Sequence, residues 1–113
     1  MSADETQLVK IEVNVPESHL RQLQEALRSV DAGHIGAYDS CLCFWQTTGV
    51  WRSLPGTNPY IGTIGEVSEE PELKVECTIR REALERTVAA IRAAHPYEEP
   101  VIYAIPLLDT GLP

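Results

Sequence analysis

The sequence predicts an α+β domain in which a four-stranded antiparallel sheet carries two helices on one face. Three segments alternate apolar and polar residues with the two-residue period of half-buried strands. In two other segments, large apolar residues recur at helical spacing. The strand and helix pattern of the first half recurs in the second at a constant offset of 64 residues, which relates Val9 to Leu73 and Leu20 to Leu84. Two βαβ units with right-handed crossovers allow few topologies, and a ferredoxin-like split βαβ sandwich with a hairpin extension fits best.

The first half supplies one strand and one helix. Residues 8–15 place their branched apolar side chains on one face of a strand, and Pro16 ends it because proline has no amide hydrogen for a ladder. Apolar residues then recur at three- and four-residue steps over residues 20–30, which predicts a helix with one buried stripe. Gly33 follows this stripe and is predicted to close the helix in a left-handed conformation.

The middle segment is apolar on both faces. Residues 38–47 alternate as a strand, with a turn predicted at Thr48 and Gly49, a return arm at residues 50–54 and a loop at residues 55–65. A strand that is apolar on both sides is usually covered on both sides. A second copy of the chain is the favoured cover, because an exposed patch of this kind is a liability on a monomer. The alternative is that the loop folds back over the strand.

The second half repeats the order strand, helix, strand. Residues 73–79 alternate as a half-buried strand, with Cys77 in phase with its apolar side. Residues 84–91 follow helical spacing, and the helix is predicted to end at His95, before Pro96. Val101, Tyr103 and Ile105 alternate in a closing strand. We predict the domain at residues 8–109, with a disordered N-terminal tail at residues 1–7 and a C-terminal tail at residues 110–113.

Composition excludes several classes of function. The net charge of −8 opposes binding to phosphate backbones, so no nucleic-acid partner is expected. Glu69, Glu70 and Glu72 could attract cations, although such a run near a turn is typical of a solvated loop. No segment approaches the ~20 apolar residues of a membrane span, and the first residues do not resemble a signal peptide. Three cysteines, an odd number, do not suggest a disulfide framework, so we expect a cytoplasmic protein without a membrane partner.

Three segments together carry a family likeness: residues 32–41, residues 56–62 and residues 95–100. In this order they resemble the YqfO-type domain, a small protein that also occurs as the insert of the dinuclear-metal-centre hexamer (NGG-interacting-factor-like) family. The last segment is also similar to the end of CutA proteins. The resemblance covers about residues 8–109 and implies the CutA/P-II-like fold, whose members assemble as trimers through their sheets. In the hexamer family the metals are held by flanking domains, so that metal centre is not carried over.

The first candidate site follows the first helix. His34 and Cys41 are ligand types suited to copper or zinc, and Gly33, His34, Gly36 and Tyr38 are predicted to contact a small ligand. The structural interpretation, in which His34 suits the negative end of the helix dipole, stays open. Cys41 and Cys43 would point to the same strand face, which would allow a paired site for a soft metal, but a buried pair without a ligand is the favoured interpretation.

The second candidate site follows the second helix. His95 and Glu98 are predicted as ligands of a divalent cation, and Tyr97 and Glu99 as contacts of a small ligand. The alternative is a rigid turn held by two prolines, with its carboxylates in water and His95 capping the helix.

These observations predict a non-enzymatic, homo-oligomeric module, a trimer by the resemblance, that binds a divalent or copper ion or a small ligand in clefts between subunits. Because the helices are antiparallel, His34 and His95 should lie at opposite ends of a protomer and share a site only between subunits. One alternative is an interaction subunit that docks on a larger protein through Trp45 and Trp51, with no ligand of its own. Another is acid/base chemistry at His95 and Glu98, although no glycine-flanked nucleophile or phosphate loop is present.

Overall fold

A computed structural model describes residues 7–111 and has the predicted architecture. The strands are β1 (Leu8–Val15), β2 (Cys43–Arg52), β3 (Val67–Arg80) and β4 (Ile102–Pro106), and the helices are α1 (Leu20–Ser29) and α2 (Leu84–Ala94). The sheet order is β2-β3-β1-β4 and each neighbouring pair is antiparallel, which confirms the α+β sandwich. No helix within the described part of the chain is long and apolar enough to cross a membrane. Of the predicted N-terminal tail, all but Gln7 lies outside the described residues.

The core lies between the two central strands and the helices. β1 and β3 pair so that their apolar residues share the helix-facing side, and these are Val9, Ile11, Val13, Val15, Leu73, Val75, Cys77 and Ile79. Leu23 and Leu27 of α1 and Ile91 of α2 cover them and are almost fully buried. The predicted inward faces of both strands and both helices are therefore confirmed, as is the burial of Cys77.

The predicted turn at Thr48 and Gly49 is wrong, because both residues lie inside an unbroken β2. Residues 47–52 of β2 pair with residues 67–72 of β3 beyond the point where β1 ends, and we call this two-stranded extension the β2–β3 arm. Gly49 does not form a turn but lets the Glu72 side chain pack closely against β2, since a Cβ there would lie 2.2 Å from a carboxylate oxygen of Glu72. The arm is joined at its end by residues 53–66, which we call the tip loop.

The segment between α1 and β2 also differs from the prediction. The left-handed residue after α1 is Asp31, with φ 57°, so Gly33 does not close the helix. Instead Gly33 donates its N–H to the Thr78 carbonyl and accepts the N–H of Cys41, both at 2.9 Å. Because this backbone pairing draws Cys41 away from the sheet, β2 begins at Cys43 rather than at residue 38.

The sheet face without helices, which we call the open face, carries charges at its centre and apolar side chains at its edges. Lys10 lies 3.1 Å from Glu12 and 3.2 Å from Glu76 on the two central strands. On β4, Ile102 turns inward and Tyr103 and Ile105 turn to the open face, where they remain exposed. On β2 the exposed Trp45 shares this face, whereas Phe44 lies on the helix side and is also exposed. The tip loop does not cover either of these two side chains.

Candidate functional site

The turn after α2 is organised by His95. Its extended backbone (φ −85°, ψ 134°) ends the helix before Pro96, and its side chain is buried. The Nε2–H donates to the Asn14 carbonyl at 2.5 Å, and Nδ1 accepts the Tyr97 N–H at 3.2 Å. These partners require the neutral ring, and burial lowers the pKa of His95 accordingly. His95 therefore ties the turn to β1 and directs Tyr97.

Tyr97 lies at the base of the β2–β3 arm. Its hydroxyl donates to Glu72 Oε2 at 3.0 Å, and its ring centroid is 5.7 Å from that of Trp51 and 6.2 Å from that of Tyr60. Burial, and secondarily the carboxylate of Glu72, raises the pKa of the Tyr97 hydroxyl, which stays protonated as a donor. The aromatic cluster thus joins the arm, the tip loop and the turn after α2.

The tip loop folds back along the arm. The Asn58 N–H donates to Glu98 Oε1 at 2.6 Å, and the Tyr60 ring meets the His19 ring edge-on at 5.6 Å. At the other end of the loop, the Gly65 N–H donates to the Ser53 carbonyl at 2.8 Å. The Asn58 contact holds the loop against the turn that follows α2, and the Tyr60 contact holds it against the residues that precede α1.

A groove of about 780 Å³ lies between the arm, the tip loop and this turn, and we call it the arm groove. It is lined by the aromatic rings of Trp51, Tyr60 and Tyr97, and its charged lining residues are mainly acidic, namely Glu72, Glu98 and Glu99 against Arg52. Its neutral polar lining residues are Asn14, Thr48, Ser53 and Thr57. Concave sites that combine apolar walls with a few convergent polar groups are typical of small-ligand binding. The predicted ligand contacts Tyr97 and Glu99 both line this groove, as does the predicted metal ligand Glu98.

The first predicted site lies elsewhere. His34 Nδ1 is 3.0 Å from both carboxylate oxygens of Asp31, and its Nε2 donates to the Gly36 carbonyl at 3.1 Å. All these partners are acceptors and therefore favour the protonated ring, and the hydrogen bond to the Asp31 carboxylate raises the pKa of His34. His34 and Gly36 line a hollow of about 460 Å³ with Arg80, Arg86 and the start of β1.

The other residues of the first site are spread out. Tyr38 is exposed and its backbone pairs with Ile35. The half-buried Cys41 directs its thiol to the Asp39 carbonyl at 3.7 Å. Cys43 is exposed on the open face, where its thiol donates to Glu76 at 3.4 Å. The predicted buried pair of Cys41 and Cys43 is therefore wrong, because only Cys43 belongs to β2.

The two predicted sites lie at opposite ends of β1. His34 is beside Leu8 in its hollow, whereas His95 binds the carbonyl of Asn14, six residues or about 20 Å along the strand. Within residues 7–111 no three His, Cys, Asp or Glu side chains are grouped as metal ligands are. A site that contains both His34 and His95 would take them from two copies of the chain, as the topology predicted.

Sequence reasoning missed the central residue of the arm groove. Glu72 belongs to the acidic run that was interpreted as a solvated loop, but it lies in β3 and is only 4% exposed. The alternation that begins at Leu73 places Glu72 in phase with Lys74 and Glu76 on the charged face, so the spacing gave no signal of its burial. Tyr60 stands within a segment of the family likeness, yet spacing gave no reason to place it against Tyr97.

Comparisons with known proteins agree with this fold. The family described as CutA1 divalent ion tolerance protein matches residues 60–111. The chain is 40% identical over 104 residues to a GTP cyclohydrolase 1 type 2 homolog of Halalkalibacterium halodurans, a match that covers 92% of this chain and 28% of that protein. The chain is thus homologous to a segment of a much longer protein.

Solved structures show the same relationship. A Bacillus cereus protein related to NIF3 superposes with a TM-score of 0.80 at 29% identity, over 92% of this chain and 26% of that one. The periplasmic divalent cation tolerance protein CutA from Archaeoglobus fulgidus superposes with a TM-score of 0.67 at 16% identity, over 91% and 86% of the two chains. The first match agrees with the sequence homology, and the second shows the CutA-like fold.

Proposed function

We propose, from its homology to a segment of the GTP cyclohydrolase 1 type 2 homologs and its CutA-like fold, that this chain is a non-enzymatic, homo-oligomeric module that binds a small ligand in the arm groove. The observation that carries the proposal is the groove itself. Four separate segments of the chain build it, and their contacts converge on Tyr97. A pocket that is already formed in one protomer needs little reorganisation to bind.

Self-association is the second part of the proposal. The open face leaves Trp45, Tyr103 and Ile105 exposed at its edges, and aromatic side chains are enriched where proteins associate. The resemblance to CutA and P-II proteins implies a trimer formed through the sheets. In such an assembly the arm groove of one copy would open into a cleft beside the next copy, and residues of the His34 hollow could reach it only from another copy.

The contacts at the turn after α2 support binding rather than catalysis. Both ring nitrogens of His95 are engaged by backbone groups, and Glu98 accepts a backbone N–H. A general base needs a free nitrogen or oxygen directed at its substrate. We therefore propose structural roles for His95 and Glu98, while metal binding by His34, Cys41, His95 and Glu98 stays a prediction.

Native mass spectrometry of the untagged protein, purified without chelator, tests the proposal. We expect a trimer that carries a small-molecule adduct, and we expect Trp51→Ala to keep the trimer and lose the adduct because one wall of the groove is gone. A bare monomer at micromolar concentration would contradict both parts of the proposal.

One observation favours a second candidate function. The homologous segment makes up 28% of the longer relative, so this kind of domain also exists joined to other domains. Exposed Phe44 and Trp45 at the sheet edge would suit an interaction subunit that docks on a larger partner. A monomer that gains neither adducts nor copies of itself would favour this alternative.

A further inference from the structure

Glu72 is a buried carboxylate with no cationic partner among residues 7–111. It is 4% exposed, and the Tyr97 hydroxyl donates to its Oε2 at 3.0 Å. None of the salt bridges formed within residues 7–111 includes Glu72, although Lys10 and Lys74 pair with other carboxylates on the same face. Buried carboxylates in proteins are normally paired with a cation, because removing a charge from water is costly.

A second acceptor without a partner lies in the same groove. Asn14 lines the arm groove, and its side-chain Oδ1 is buried with no hydrogen-bond partner among the described residues. Buried polar atoms are satisfied in the great majority of cases, so an unpartnered one at a groove points to a missing donor. Glu72 and Asn14 both need a group that donates hydrogen bonds, and Glu72 also needs positive charge.

The walls of the groove suit the same kind of group. The rings of Trp51, Tyr60 and Tyr97 present aromatic surface, which attracts organic cations through the negative face of the ring. Glu98 and Glu99 add negative charge, and Arg52 is the one cationic side chain among the lining residues of this groove. An inorganic anion or a carboxylate would be repelled by the buried Glu72.

We propose that the arm groove binds an organic cation with N–H donors, either a primary ammonium or a guanidinium, whose charge rests on Glu72 and whose alkyl part packs against Trp51 and Tyr60. This inference rests on the proposed function and names its ligand class. The cation has two chemically equivalent sources, which are a free small molecule and a Lys or Arg side chain of a second copy.

Calorimetric titration of the full chain with n-butylammonium and n-butylguanidinium, with n-butanol as the neutral isostere, tests the proposal. We expect the cations to bind at least about ten-fold more tightly than butanol, since a hydrogen bond to a charged group raises the affinity by about this factor or more. Glu72→Gln keeps an acceptor for Tyr97 but removes the charge, and should weaken cation binding about ten-fold. Glu69→Gln is the matched control, because this carboxylate is exposed on the other face of the same strand and does not line the groove.

Gly49→Ala provides a second variant that retains the charge. Its new Cβ would lie 2.2 Å from Glu72 Oε1, so the carboxylate must move, and cation binding should fall while circular dichroism shows a folded chain. Equal cation affinity in the wild type and in Glu72→Gln would overturn the inference. A trimer with neutral or anionic adducts, combined with no cation binding, would overturn it while leaving the proposed function intact.

Sedimentation equilibrium with and without n-butylammonium separates the two sources. If the cation dissociates the oligomer, and Glu72→Gln does so as well, the groove is filled by a side chain of another copy. If the cation binds and the oligomer persists, the ligand is a free molecule. Either result supports a cation site at Glu72.

Discussion

At the scale of single residues, two glycines permit close contacts that a side chain would block. Gly49 lets the Glu72 carboxylate lie against β2, and Gly33 lets the Cys41 carbonyl approach the backbone after α1. The Gly33 contact is the tighter one, because an added Cβ would be 2.0 Å from the Cys41 oxygen. The space next to Gly33, predicted as a ligand contact, is thus occupied by the chain itself.

Gly33→Ala should destabilise the domain by about 3 kcal/mol, since it combines a left-handed backbone (φ 79°) with a clash against a main-chain carbonyl. Gly56→Ala is the control, with φ 98° and no heavy atom within 4 Å of the new Cβ, and should cost only about 1 kcal/mol. Urea unfolding monitored by circular dichroism measures both free energies of unfolding. Equal losses would show that the Cys41 contact does not matter.

At the scale of elements, the β2–β3 arm and its tip loop create the site. β3 has 14 residues, which at about 3.3 Å each span about 46 Å and approach the 47 Å length of the molecule. The tip loop contributes seven of the 18 residues that line the arm groove, and it is held to the turn after α2 through Glu98. The position of the loop therefore depends on a few polar and aromatic contacts.

Glu98→Ala should release the tip loop, because it removes the acceptor of the Asn58 N–H. Loss of a charged hydrogen bond at an exposed site is worth about 1 kcal/mol, so amide exchange at Asn58 should accelerate about five-fold. Hydrogen exchange followed by NMR measures this rate. Glu99→Ala is the matched control, as Glu99 is a neighbouring exposed carboxylate in the same groove and accepts none of the hydrogen bonds resolved among the described residues. The same acceleration in both variants would refute a specific role for Glu98.

At the scale of the whole molecule, the two faces of the sheet differ in what covers them. The helices bury one face, whereas the open face combines a central ladder of ion pairs with apolar edges. A second sheet could pack against such a face while its charges remain paired. Substitutions of Trp45 and Phe44 can show which face associates, because the two residues are adjacent in one strand and point to opposite faces. Their side chains are 44% and 45% exposed, so the two substitutions are comparable.

Trp45→Ser should weaken self-association by about 30-fold, since a tryptophan that anchors an interface commonly contributes about 2 kcal/mol or more. Phe44→Ser removes an aromatic ring of similar exposure from the helix side and should leave the oligomer unchanged. Sedimentation velocity over a range of concentrations measures the effect. An oligomer that responds to Phe44→Ser and not to Trp45→Ser would place the contact on the other side of the sheet.

Much of the fold follows from local pattern. The alternation in residues 8–15 and 73–79 identified the core strands and their inward faces, and the offset between the two halves identified the topology. The errors lie where two segments pair over a distance. Thr48 and Gly49 have the composition of a turn, but pairing with β3 keeps them in a strand.

The sequence by itself determined the sandwich, the direction of its helices and the separation of His34 from His95, because binary pattern and chain connectivity are local properties. Only the tertiary structure decided that Glu72 is buried, that Tyr97 binds it, and that Trp51 and Tyr60 complete the groove. These residues come from four segments, which are β2, β3, the tip loop and the turn after α2. Contacts of this kind depend on long-range packing, which the spacing of residues along the chain does not reveal.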